Sequence, residues 1–137
     1  MTALKRAAPL AALPGAEAEA NAIAQMFGVL ALVGDEASET SVTNRLADAS
    51  VIHLATHGLL ESDNIYTQSY LSAIALTPTD QDDGYLTVRE VMKMKLKADL
   101  AVMSACDSGR GKITGDGVIG LSRGYLAAGV PSVMVSL

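Results

Sequence analysis

The chain has 137 residues and a formal net charge of −5; half of the residues are hydrophobic, but only 4% are aromatic and none is Trp. That length suits one domain with a real core, which must be built from Ala, Val, Leu, Ile and Met. The charge argues against nucleic-acid binding, because the ten basic residues are scattered, with only a loose group at Lys93, Lys95 and Lys97.

In chain order, "PGAEAEANAIAQMFG" predicts a helix. Ala16, Ala20, Ile23 and Phe27 recur at helical spacing, Glu17 and Glu19 sit near its positive end, and Gly28 can end it. "VLALV", residues 29–33, reads as a short buried strand. "SETSVTNRLAD" predicts a second helix with Val42 and Leu46 on one face, and "SVIHLAT" a second strand. A third strand is expected from Leu71 to Leu76, followed by the polar turn "TPTDQDDG". Thr87 and Glu90 form a Thr-x-x-Glu capping box, so a helix starts near Val88. "ADLAVMSA" is the next strand. "DGVIGLSRGYLAAG" is a helix with Val118, Leu121, Tyr125 and Leu126 inward, ended by Gly129 and Pro131. "SVMVSL" is the last strand. No internal repeat is visible. No apolar run reaches the roughly 18 residues of a membrane span, and the N-terminus lacks the apolar stretch of a signal peptide. One cysteine permits no internal disulfide, so a cytoplasmic location without membrane contact is expected.

Helices alternating with apolar strands imply an α/β fold with a mostly parallel sheet and helices on both faces. Functional groups in such sheets gather beyond the carboxyl ends of the strands. Two strands end in reactive residues: "VIHLAT" runs into His57 and Gly58, and "LAVMSA" into Cys106, the only thiol. If they are parallel neighbours, about 4.8 Å apart, an imidazole and a thiol can meet at one sheet edge. The imidazole would take the thiol proton and later deliver it to a leaving amine. The tetrahedral intermediate needs backbone N–H donors, for which the amides of Gly58 and Cys106 are placed. A histidine at a strand mouth is expected to pack less tightly than His53 inside the same strand.

"HLATHG" and "SACDSG", which place His57 and Cys106 49 residues apart, resemble the CHAT-domain family of caspase-like cysteine peptidases, relatives of caspases, separases and gingipains. "LPGAEAEANAIAQMFG", "DGYLTVREV" and "GDGVIGLSRGYLAAGVPSVMVSL" are similar to the family's opening helix, middle segment and closing helix and strand. The resemblance implies a three-layer caspase-like fold over residues 13–137, shortened at both ends, after a flexible segment at residues 1–12. It implies a cysteine endopeptidase acting on a protein or peptide substrate, with His57 as general base, Cys106 as nucleophile, and Gly58 and Cys106 as the oxyanion hole. Asp107 and Ser108, beside the nucleophile, either form a turn or shape the substrate cleft. No metal or cofactor is expected. A helical-repeat regulatory partner or domain is, and so is self-association through the apolar last strand. The alternative is a CHAT-like module that binds a partner without cutting it.

Other motifs have plainer readings. His53 and His57 are four apart, but β-branched Val51, Ile52 and Thr56 favour a strand, on which the two lie about 13 Å apart, too far to share a metal. His53 reads as a satisfied interior histidine. "GDGVIG", Gly115–Gly120, spells G-x-G-x-x-G but does not directly follow a strand and has no acidic residue about 20 positions on, so it reads as a loop and helix start rather than a nucleotide site. Asp80, Asp82 and Asp83 read as a solvated turn, and Met92 and Met94 as helix filling.

Overall fold

The computed structural model describes residues 10–59, 72–106 and 115–136. Helix α1 spans Pro14–Met26 and α2 spans Glu39–Leu46, joined through a 3-10 turn at Gly34–Glu36. Strand β1, Val51–Leu59, follows, then β2, Ala73–Ala75, and β3, Tyr85–Thr87. Helix α3, Val88–Met92, leads to β4, Leu100–Cys106, and helix α4, Gly115–Ala127, to β5, Ser132–Ser136.

Local chemistry explains the helix ends. Pro14 opens α1 at a position where its missing N–H costs nothing. Ser38 caps α2 by accepting from the Ser41 amide. The expected box at α3 is formed: Thr87 Oγ1 accepts from the Glu90 amide, and Glu90 returns a bond to the Thr87 amide at 2.8 Å. Helices α1 and α4 end alike. Gly28 (φ 67°) and Gly129 (φ 108°) take the left-handed backbone that side chains disfavour. Each lets two amides turn back to the helix's last carbonyls, Val29 to Ala24 and Gly28 to Gln25 in one, Val130 to Tyr125 and Gly129 to Leu126 in the other.

The sheet order is β3-β2-β1-β4-β5. β1, β4 and β5 run parallel, whereas β2 adds antiparallel to β1 at its carboxyl end and β3 adds antiparallel to β2. This is the mostly parallel, helix-covered α/β arrangement of a caspase-like fold. Seven consecutive residues of β1 pair in register with β4, from Val51 opposite Leu100 to His57 opposite Cys106. Because successive residues of a strand face opposite ways, the register sorts the two strands into two faces. Ile52 and Leu54 pair with Ala101 and Met103 on one face; His53, Ala55 and His57 pair with Val102, Ser104 and Cys106 on the other. The first face joins Val88, Val91, Leu121 and Tyr125 in the main core. The second faces α1, as contacts from Glu19 demonstrate.

Several expectations need correction. Residues 29–33 form no strand; Val29 is 57% and Leu30 85% exposed. An apolar run makes a strand only with a ladder partner. Here a groove of about 1030 Å³ separates these residues from β1, lined by both. Among the described residues β1 is paired on that side only at Gly58 and Leu59. Strand β3 carries no strand signal of its own in the sequence, because its three residues run directly into the capping box. Leu121 and Tyr125 are buried, but Leu126 is 49% exposed, and Phe27 is 60% exposed beyond the end of α1. Leu71 and residues 1–9 lie outside the described residues, and Val118 outside those whose burial is described.

Candidate active site

The site is built where β1 and β4 end together. Both strands form because their residues are apolar or β-branched and lie between covering helices. The ladder between them closes at His57 and Cys106, the last pair in register. Parallel neighbours lie about 4.8 Å apart, so these two positions sit side by side at the carboxyl end of the ladder. Gly58 follows immediately; it is buried and pairs with Ile74 of β2. Asp107 and Ser108 lie outside the described residues.

His57 is 5% exposed. Its Nε2 lies 2.7 Å from the carbonyl oxygen of Ala11, just upstream of α1. A carbonyl can only accept, so Nε2 carries the hydrogen and donates it. In a neutral imidazole the second nitrogen is then the basic one. The Ala11 contact thus selects the tautomer whose lone pair is on Nδ1. The packing expectation is reversed: His57 at the strand mouth is more deeply buried than His53, whose side chain is 16% exposed. The Ala11 carbonyl, from the chain before α1, lies against the ring and contributes to this burial.

His53 is satisfied, as its position inside the strand implied. Its Nε2 lies 2.8 Å from Glu19 Oε1, and Ser104 Oγ donates to Glu19 Oε2 at 3.1 Å. One carboxylate of α1 therefore spans both strands. Neither this role of Glu19 nor that of the Ala11 carbonyl was read from the sequence. The contacts cross 34 and 46 positions of chain, and a main-chain carbonyl carries no side-chain signature. The only local signal was two glutamates in the first turns of α1.

The remaining motifs fall on other elements. The G-x-G-x-x-G glycines open helix α4. Asp82 accepts from the amide and hydroxyl of Thr40, and Asp83 from the Tyr85 amide at 2.9 Å, so the acidic turn ties α2 to β3. Beside it Glu39 is pushed up from 4.5 to about 7, first by burial, then by the fields of Glu90, Asp82 and Asp83, with the Gly84 amide opposing. Among the described residues no three His, Cys, Asp or Glu side chains are grouped to hold a metal, and no helix is long and apolar enough to cross a membrane.

The model of the CHAT domain matches residues 2–137, essentially the whole chain. The chain belongs to the CHAT-domain family. Among curated proteins it is similar to tetratricopeptide repeat protein 28 of Homo sapiens, 29% identical over 163 residues, and to that of Mus musculus, 28% identical over 163 residues. Each alignment covers 91% of this CHAT domain but 6% of the relative, so the chain spans a small part of the length of the curated proteins it matches.

Proposed function

We propose that this CHAT domain is a cysteine-type endopeptidase working through a Cys106–His57 dyad, with residues 13–137 as the catalytic unit. The observation that carries the reading is the register that sets His57 opposite Cys106 at the carboxyl end of two parallel strands. With the hydrogen of His57 held on Nε2 by Ala11, Nδ1 accepts the Cys106 proton as the sulfur attacks the scissile carbonyl carbon. The amides of Gly58 and Cys106 receive the negative oxygen of the tetrahedral intermediate. Collapse breaks the C–N bond, the imidazolium returns its proton to the leaving amine, and a thioester remains. Water, deprotonated by His57, then releases the acid and restores the thiol. Asp107 and Ser108 shape the adjoining cleft. The substrate is a protein or peptide, and a cytoplasmic setting fits a free nucleophilic thiol.

The names of the relatives support a helical-repeat partner or adjoining domain as the element that regulates the site. Strand β5 supports self-association: among the described residues it is paired only with β4, and Met134 is 61% exposed. Light scattering is expected to detect oligomers that Met134→Lys disperses; a stable monomer at high concentration contradicts this.

The direct test is thiol reactivity. Iodoacetamide at pH 6.5 should label Cys106 faster than a free peptide thiol, Cys106→Ala should abolish labelling, and His57→Ala should slow it about 100-fold. Labelling no faster than a peptide thiol, and indifferent to His57, leaves the non-cleaving interaction module as the function.

A further inference from the structure

Helix α1 is held to the sheet by little apolar surface. Ala24 is its one buried residue among those described, and Ala24 is not part of the main core. What α1 has instead is Glu19. Both carboxylate oxygens are used, one on His53 of β1 and the other on Ser104 of β4, at 2.8 and 3.1 Å. Two bonds to two strands fix the helix along and across the sheet, which one bond could not do.

The same helix carries the Ala11 carbonyl to His57. Ala11 lies over His57, and Glu19 over His53, four residues earlier in β1. The stretch from Ala11 to Glu19 therefore runs against the direction of β1. Most of it is stiff: the first helical bond, from the Glu17 amide to the Leu13 carbonyl, already includes Leu13, and the helix rises about 1.5 Å per residue from there. Only Ala12 separates that rigid unit from Ala11. A shift of α1 at Glu19 is thus passed to the Ala11 oxygen, and a 2.7 Å hydrogen bond tolerates little displacement before it weakens.

We infer that Glu19 is a positioning residue for the general base: by clamping α1 across β1 and β4 it seats the Ala11 carbonyl on His57 and so sets the ring tautomer that leaves Nδ1 to accept the thiol proton. This rests on the dyad reading above for its catalytic consequence, but the tautomer itself does not. Without Glu19, α1 loses its two side-chain bonds to β1 and β4. The Ala11 oxygen drifts, and its hold on the Nε2 hydrogen of His57 weakens.

The test uses the 137-residue chain and two readouts. The first is the ring ¹⁵N spectrum of His57, in which protonated and unprotonated nitrogens are widely separated. The second is the iodoacetamide rate at Cys106. The parent chain should give one ring nitrogen that carries a proton, Nε2, and one that does not, Nδ1. Glu19→Ala should move both ring signals toward their average and slow labelling about tenfold, a part of what general base catalysis supplies. Glu19→Gln keeps a polar side chain of the same length and should restore the rate to within about threefold of the parent. Glu17→Ala removes an equal charge from the exposed side of the same helix and should change neither readout. If Glu19→Ala does not fold, Ser104→Ala, which removes one of the two bonds, should give a smaller shift of the same ring signals. Ring signals unchanged in the folded Glu19 or Ser104 variant overturn the inference. Ring signals that move while labelling stays constant uphold the positioning role and instead remove the dyad from the proposed function.

Discussion

Alternate residues of β1 and β4 meet two different environments. On the core face Ile52, Ala101 and Met103 are 3%, 0% and 0% exposed and join a single apolar cluster. On the α1 face His53 and Ser104 are half-buried and bound to one glutamate. Burial against the core stabilises the strands with no directional demand. The polar face contributes less energy per contact but fixes positions, because hydrogen bonds constrain distance and angle. One pair of strands thus has a face that sustains the fold and a face on which side chains are oriented.

The largest effect expected from this contrast comes from adjacent residues of β4. Met103→Ala should cost about 3 kcal/mol, since a fully buried side chain leaves a cavity in the cluster. Ser104→Ala, one position along, should cost about 1 kcal/mol, the net value of its bond to Glu19, since the 3.5 Å bond from exposed Ser136 adds little. Urea unfolding of both variants measures the difference. Equal losses would mean that α1 protects the polar face as well as the core protects the other, and the contrast would fail.

The two faces also differed in how readable they were. The core was legible because it depends on pattern: Val42, Leu46, Leu121 and Tyr125 recur at helical spacing, and all are buried. The strand ends were legible because apolar runs stop at His57 and Cys106. Where pattern misled, partners decided. Residues 29–33 are as apolar as a strand, yet no ladder forms there among the described residues. Leu126 is next to Tyr125 in sequence but about 100° away around the helix, and only one of them could face the core. The α1 face was illegible for another reason. Glu19 looked like a helix-dipole residue, and nothing near it in sequence names His53 or Ser104. The Ala11 carbonyl is a main-chain atom that any residue would supply.

A smaller effect tests how strictly apolar the core face is. The Tyr125 side chain is 1% exposed, and its hydroxyl has no hydrogen-bond partner among the described residues. Burial pushes its ionisation well above the ordinary phenol range. Tyr125→Phe removes an unsatisfied polar atom at almost constant volume, so it should raise stability by about 1 kcal/mol. A loss of that size in urea unfolding would reveal a polar partner for the hydroxyl and blur the distinction between the faces.

The smallest effect lies away from both faces, at the start of α2, and asks whether polar strain is confined to the neighbourhood of α1. Glu39 is raised from 4.5 to about 7 by burial and by Glu90, Asp82 and Asp83. A carboxyl that holds its proton more tightly when folded makes folding easier as the pH falls. Its ionised form therefore lowers stability fully above about pH 7, and the loss is recovered as the pH falls from 7 toward 4.5. Glu39→Gln abolishes this titration. The variant should melt higher than the parent at pH 8, and the gap should close by pH 5. The gain stays below about 1 kcal/mol, because the group is partly solvated and its repulsions are screened, and because a carboxylate in the first turn of α2 is favoured by the helix dipole. Thermal melts of both proteins at the two pH values decide it. A constant difference between them, or none at pH 8, would show that the acidic turn bears no strain and leave the α1 face as the polar region to be explained.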